Sequence, residues 1–386
     1  SVAAPVRPQG TTAILPVTSC DEAELRSVIS GAADGDTIDL AGLSNCTISL
    51  SSGAVVVYQD TLTINGPGAA NLTIDANHDS NVFGFAGTGT LTITGATLTG
   101  GFNYGYVGGA VAGVGSISLE DVVITDSGTF GPNAIGAGVF SDSGNITLVD
   151  STVTGTTSVG YVAGAAVFAG GGHLTLSSST VTNNHVTAYE YARGGGAFAY
   201  GTAGIASSTI SGNQVTGKVA LGAGAVGDYI VVVDSVIGDN HASGRYVAVG
   251  GGIVGGDVLG TESTIAGNTA AVTEGYALGG GIYAARSVGL TSATISGNAA
   301  TAAMDGAYDF AAGGGIYAYG GQGTPPAVDV KYSSISDNNT SGIGGGIVTI
   351  SPGKGGMGTF APPLDEAGNS VRGQLATQFL SRRLGL

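Results

Sequence analysis

Tryptophan is absent from the 386 residues, and lysine and arginine together supply only 11. Charged side chains make up 10% of the chain, against about 25% in ordinary globular domains. With 27 acidic residues the formal net charge is −16, which argues against a nucleic-acid partner, because phosphate contacts need a basic surface. No apolar run is long enough for a membrane-spanning helix, which needs roughly 18 residues or more. Proline is scarce at 10 residues while glycine reaches 72, a balance that fits neither collagen nor a Pro-rich linker. A mean hydropathy of +0.32 is too high for a disordered chain. Ser1 begins without a charged n-region or apolar h-region, so the chain reads as one whose signal peptide was removed or never included.

Only two cysteines occur, Cys20 and Cys46. A disulfide between them is expected, worth roughly 3 kcal/mol through loop closure. The alternative is two buried free thiols. The bond would imply an oxidising compartment.

What the chain does contain is a repeat. Motifs such as Thr294-Ile295-Ser296-Gly297-Asn298 recur around the apolar anchors Leu98, Ile124, Val153, Val181, Ile210, Ile237, Ile265, Ile295 and Ile335. The anchors stand 26 to 30 residues apart, with one final step of 40. Three positions after six of them stands an asparagine: Asn184, Asn213, Asn240, Asn268, Asn298 and Asn338. A second motif alternates with the first, as Gly250-Gly251-Gly252-Ile253, Gly279-Gly280-Gly281-Ile282, Gly313-Gly314-Gly315-Ile316 and Gly344-Gly345-Gly346-Ile347. A third apolar run, for example His173-Leu174-Thr175-Leu176, completes each unit. Three short strands in about 28 residues are too few for a propeller blade and fit one turn of a three-sided solenoid. The asparagines are then expected to stack as a ladder of hydrogen-bonded amides.

These alternating Gly-Gly-Ala/Gly-Ile and apolar-x-x-Asn motifs resemble the repeats of polymorphic outer-membrane proteins and of secreted bacterial β-helix repeat proteins. The run from Cys20 to Leu50 resembles the opening of the latter group. No alternating strands for a translocating barrel follow at the C-terminus, unlike the outer-membrane group. The resemblance implies an all-β, single-domain right-handed parallel β-helix of a secreted or cell-surface bacterial protein. Its segments are an N-terminal capping region over 1–36, the helix proper over 37–350 and a C-terminal capping tail over 351–386. Ser19 and Glu22 are read as a capping box that starts an N-terminal helix with Leu25, Val28, Ile29 and Ala32 on one face. Val371, Leu375, Phe379 and Leu384 suggest a second capping helix. End-to-end association of such coils is a further expectation.

The stretch between each Asn and the next Gly motif varies between 11 and 20 residues from anchor to motif, so variable loops are expected there. It carries His185 and His241, each directly after a ladder Asn, with Gln214 between. Then come Tyr189, Glu190, Tyr191 and Arg193, then Lys218, then Arg245 and Tyr246, then Glu274 and Tyr276, then Asp305, Tyr308 and Asp309. Tyr106 and Tyr161 belong to the same series. Aromatic faces with Arg and Glu beside them suit sugar rings, which makes this a candidate glycan-binding strip. His185, His241, Glu190, Arg193 and Arg245 are the catalytic candidates. The competing reading is that the tyrosines stack on one another over small-residue corners.

Two further patterns are candidates. Asp121 with Asp150, and Asp234 with Glu262, fall three residues before anchors on successive coils. Such pairs could hold Ca²⁺, share a proton, or act as the two acids of a glycosidase, whereas Asp also favours turns on its own account. Thr97/Thr99, Thr152/Thr154, Thr180/Thr182, Thr209/Ser211 and Thr294/Ser296 flank anchors and resemble the Thr-x-Thr rows of ice-binding solenoids, although Val123, Val236, Gly238 and Ala266 interrupt them. No Gly-x-Ser-x-Gly, His-Glu-x-x-His, phosphate loop or Cys-based metal spacing is present. Lyases on this fold use a Lys or Arg base beside an acidic cluster, and none of Lys218, Arg193, Arg245, Arg286 and Lys331 aligns with the acidic pairs. The leading expectation is therefore an adhesin or structural surface protein with a glycan as ligand. A polysaccharide lyase or glycoside hydrolase is the alternative, and ice binding a minor one.

Overall fold

A computed structural model describes residues 12–105, 107–303, 309–319 and 327–341, with the strands Gly346–Ser351 and Gly355–Phe360 beyond them. Among the described residues the one α-helix is Glu22–Gly31, and the chain is an all-β parallel solenoid. The anchors form one column: Val153 pairs in register with Val181, Val181 with Ile210, Ile210 with Ile237, and so on to Ile335. The column also continues upstream, because Leu98 pairs with Ile74 and Ile74 with Ile48. From Ile48 to Ile295 every anchor is at most 1% exposed, so the column is the spine of the core.

From Val153 to Ile335 each anchor sits in a strand of three residues, and the backbone shows why. The residue three before the anchor and the residue two after it both adopt positive φ. The pairs are Asp150 and Gly155, Ser178 and Asn183, Ser207 and Gly212, Asp234 and Asp239, and Glu262 and Gly267. Left-handed backbone breaks the strand at both ends and favours Gly, Asn and Asp there.

The asparagine ladder forms as the repeat implies. Asn184 Nδ2 donates to Asn213 Oδ1 at 2.9 Å, and the same 2.9 Å bond links Asn213 to Asn240, Asn240 to Asn268, Asn268 to Asn298 and Asn298 to Asn338. Each side-chain oxygen also accepts the backbone N–H of the preceding ladder asparagine, as from Asn240 N at 3.1 Å. The second amide hydrogen reaches the anchor carbonyl of the coil before, as Asn268 Nδ2 does with Ile237 O at 2.8 Å. Thr156 ends the ladder by donating from N and Oγ1 to Asn184 Oδ1.

The glycine motifs are explained by the same column. Gly250 has φ +60°, which a side chain resists. A Cβ on Gly251 would lie 2.4 Å from the carbonyl carbon of Thr269, and one on Gly252 would lie 3.0 Å from the Asn268 amide. The Gly strand thus crosses directly against the ladder, and only glycine leaves room.

The stretch after each asparagine, expected as a variable loop, is a strand. His185–Arg193, Gln214–Leu221 and His241–Val249 pair side by side in a separate 11-stranded sheet. The length variation is absorbed as bulges, with register shifts between Thr187 and Tyr191 and between Gly217 and Val219. The strand before each bulge alternates buried and exposed residues.

At the N-terminus the helix forms, with Leu25 and Ile29 buried and Val28 and Ala32 packed against the core. Its cap differs from the Ser19–Glu22 box expected. Asp21 is the N-cap, accepting from Ala23 N and Glu24 N, and Glu24 in turn accepts from the backbone and hydroxyl of Thr18 and Ser19. Asp is a favoured N-cap because its carboxylate accepts from the otherwise unpaired first-turn amides. Cys20 and Cys46 are joined in a disulfide, with Cα atoms 5.8 Å apart, fastening the helix start to the strand Cys46–Ser49. The sheet begins upstream of the helix, since Ile14–Pro16 pairs with Thr37–Asp39.

At the other end the last parallel strand is Asn339–Ser341. Gly346–Ser351 then pairs antiparallel with Gly355–Phe360. The fourth Gly motif therefore does not continue the coil pattern, because its Gly346 and Ile347 lie in this hairpin. The second capping helix expected on Val371, Leu375, Phe379 and Leu384 lies outside the described residues.

Candidate functional site

The histidine column is in register. Thr157 pairs with His185, His185 with Gln214, and Gln214 with His241. The histidines are thus two coil steps apart, about 10 Å at the spacing of neighbouring strands. His185 is exposed and His241 half-buried. Burial pushes the His241 pKa below 6.5, so its imidazole is neutral at pH 7.

The tyrosines and charges lie further along the same strands, at the bulges. Tyr161 and Tyr189 have ring centroids 5.7 Å apart, and the Lys218 ammonium stands 4.3 Å from the centroid of Tyr189. Lys218 also meets Glu190 Oε1 at 2.6 Å, which raises its pKa. One coil on, Arg245 lies 4.9 Å from the Tyr246 centroid and 3.3 Å from Glu274 Oε1. Tyr191 and Tyr276 fall in a neighbouring column through Val219 and Val247.

The histidines and the charged ridge are not brought together. Four residues of strand separate His185 from Tyr189, about 13 Å at roughly 3.3 Å per residue. Arg193 is further still, at the strand end, where it pairs with Gly164 and Leu221. Its Nε is buried without a hydrogen-bond partner. Tyr106, Asp305 and Tyr308 lie outside the described residues.

The acidic column has a conformational cause. Asp121, Asp150, Asp234 and Glu262 are the left-handed residues before the anchors, with φ between 47° and 51°. Ser178, Ser207 and Ser292 occupy the same position on other coils with similar φ. Among the described residues no group of three or more His, Cys, Asp or Glu is placed to hold a metal ion. The hydroxyl rows are in register, Thr152 with Thr180 with Thr209, and half-buried. Thr182 Oγ1 donates to Thr154 Oγ1 at 3.3 Å, so part of the row is satisfied internally.

Two arrangements escaped the repeat reading. The first is a serine ladder two residues before the anchors. Ser151 N donates to Ser179 Oγ, Ser179 N to Ser208 Oγ, Ser208 N to Ser235 Oγ and Ser235 N to Ser263 Oγ, at 3.0 to 3.2 Å. The signal was there, in the Ser that precedes the Thr-Ile pair on coil after coil. The second is Arg286, which bridges Asp228 and Asp257 at 2.8 Å each. These three sit on successive coils, and neither acid belongs to the acidic column.

Comparison with known proteins finds a family match at the C-terminal end. The glutaminase family model matches residues 338–386. Glutaminase 2 of Yersinia pestis is 78% identical over 46 residues, 12% of this chain and 14% of that protein. The glutaminase of Bacteroides thetaiotaomicron is 54% identical over 58 residues, 15% of this chain and 18% of that protein. The glutaminase of Bordetella avium is 59% identical over 46 residues, 12% and 15% of the two lengths. The chain therefore spans less than a fifth of each of these relatives. The match begins at Asn338, the last described ladder position, and takes in the Gly344–Ile347 motif.

Proposed function

We propose that the solenoid is an adhesive or structural protein of the cell exterior that binds glycans on the outer face of the sheet following the asparagine ladder. The observation that carries this reading is the row of exposed rings on that face, from Tyr189 at 64% exposure to Tyr276 at 49%, beside ion pairs that are already satisfied. Aromatic side chains supply large contact area at low entropic cost. The charges beside them neutralise one another, and the histidines stand about 10 Å apart and away from the arginines. That arrangement suits contact and lacks the base-and-partner geometry of proton transfer. The disulfide supports an oxidising setting, and the likeness to surface and secreted repeat proteins supports the same compartment. The matched glutaminase stretch holds 14 to 18% of those enzymes and supports no glutamine-hydrolysing reading of the solenoid.

The test is a panel of soluble glycans, read at once for retention of the protein and for chain cleavage. Retention without cleavage is expected. Cleavage would replace this reading with a lyase or hydrolase, and no retention on any glycan would overturn it.

A further inference from the structure

We propose that the ligand is a neutral glycan lying along the solenoid axis in a trough whose ends are Tyr191 and Tyr276; this inference rests on the glycan-binding reading above. Tyr191 pairs with Val219, Val219 with Val247, and Val247 with Tyr276. Their inner neighbours Ala192, Ala220, Ala248 and Ala277 are buried, so by strand alternation the four residues of the column face outward. The column presents two half-exposed valines as a floor and an exposed ring at each end, at 46% and 49% exposure. The rings are three coil steps apart, about 14 Å at the strand spacing.

The tyrosines of the bulge ridge are poorer platforms, although Tyr189 is the more exposed. One face of its ring is taken by Tyr161 and the Lys218 ammonium lies over it as well. Arg245 likewise lies over Tyr246. Tyr191 and Tyr276 take part in no such ring or cation contact among the described residues. Their faces are the ones left for a sugar ring.

Charge decides the class of glycan. Of the cations near the trough, Lys218 and Arg245 are each bound to a carboxylate, Glu190 or Glu274, and Arg193, two residues beyond Tyr191, is half-buried with its Nε enclosed. A uronate or sulfate would have to displace that partner, on a chain of net charge −16. A neutral sugar needs no such exchange. Its apolar ring faces match Val219, Val247 and the two tyrosines, while its hydroxyls find acceptors and donors in the intact ion pairs.

The test uses linear neutral oligosaccharides of glucose, mannose and galactose, and uronic-acid oligomers of matched length, titrated against the whole chain. We expect neutral oligomers long enough to reach both rings to bind at least roughly tenfold tighter than the monosaccharide, because the second contact becomes intramolecular. Tyr191→Ala and Tyr276→Ala should each lose about tenfold in affinity, a ring contact being worth on the order of one decade. Tyr191→Phe should keep the binding. Added salt should leave the affinity unaltered, since no net charge is exchanged. Preference for the uronic oligomers, or neutral binding that survives both Tyr191→Ala and Tyr276→Ala, would overturn this inference while leaving glycan binding in place. No binding by any oligomer or polymer would overturn both.

Discussion

Gly252 lies against the side-chain amide of Asn268: a Cβ on that glycine would sit 3.0 Å from the amide carbon and nitrogen and 2.7 Å from the carbonyl oxygen of Gly281. The two repeat motifs are therefore one packing unit. Gly252→Ala should destabilise the solenoid by about 1–3 kcal/mol through overpacking. Combined with Asn268→Ala the losses should fall short of additivity by about 0.5 kcal/mol or more, because the truncated asparagine gives way to the new methyl. Chemical unfolding of the two single variants and the double variant measures this. Strict additivity would mean the two positions do not feel each other.

Position within the ladder should set the cost of losing a rung. Asn268→Ala removes the acceptor of Asn240 and the donor to Asn298 and Ile237, all in buried surroundings. A loss of about 1–3 kcal/mol is expected. Asn338 is only part-buried, and on its upstream side it serves Asn298 and Ile295 alone. Asn338→Ala should cost less in the same unfolding assay. Equal costs at both rungs would contradict the described environment.

The serine ladder makes a prediction of its own. Ser235→Ala leaves the buried Ser208 N–H without its acceptor and should cost about 1–3 kcal/mol. Val236→Thr, on the exposed face of the same strand, should stay within about 0.5 kcal/mol of the parent. Hydrogen exchange should show the Ser208 amide losing protection in Ser235→Ala and keeping it in Val236→Thr. Unchanged protection in both would remove the ladder's role.

Acid should loosen the N-terminal cap before the coils. Glu22 is partly desolvated, which alone would raise its pKa. Hydrogen bonds from the Ser51 N–H and hydroxyl, Arg26 and the Ser52 N–H nevertheless bring it down from 4.5 to about 2. Glu24, bound by Ser19 and Thr18, is also held at about 2. Both folded values lie below the unfolded one, so their contribution is complete above about pH 4.5 and fades as pH falls toward 2. Amide exchange in Glu22–Gly31 should therefore rise across that window in wild type and be already raised at neutral pH in Glu24→Gln. A helix equally protected at pH 2 and pH 7 would refute the linkage.

The repeat was readable where one side chain does the same work on every coil. Ile210, Asn213 and Gly252 recur at nearly fixed spacing because each column is stacked on itself. Ile48 and Ile74 belong to the same column but are not marked by the repeat, since no Gly-Gly motif stands between them. Tyr189-Glu190-Tyr191 read as a loop because a bulge breaks the two-residue alternation that marks a strand. The acidic column leaves turn and chemical readings open in the sequence, and its positive φ adds a conformational reason for the acids. The partners of Lys218 and Arg245 were hidden for a simpler cause. Glu190 and Glu274 are 28 and 29 residues away in the chain and adjacent only once the coils stack.

The ladder also gives the rod an electrical direction. From Asn184 to Asn298 every side-chain NH₂ donates one hydrogen to the next coil's asparagine, and every ladder oxygen faces the coil before. Like-oriented amides polarise one another, and their dipoles sum along the axis much as peptide dipoles do in a helix. The oxygen end is quenched by Thr156, and the series runs in this sense as far as Asn338. A coil inserted within this series in the same sense would extend it, with each asparagine meeting the donor of the one before. One added in the opposite sense would set like ends of the dipoles against each other. Elongation by repeat duplication is thus polar, because the ladder has an electrostatic sense as well as an order of residues.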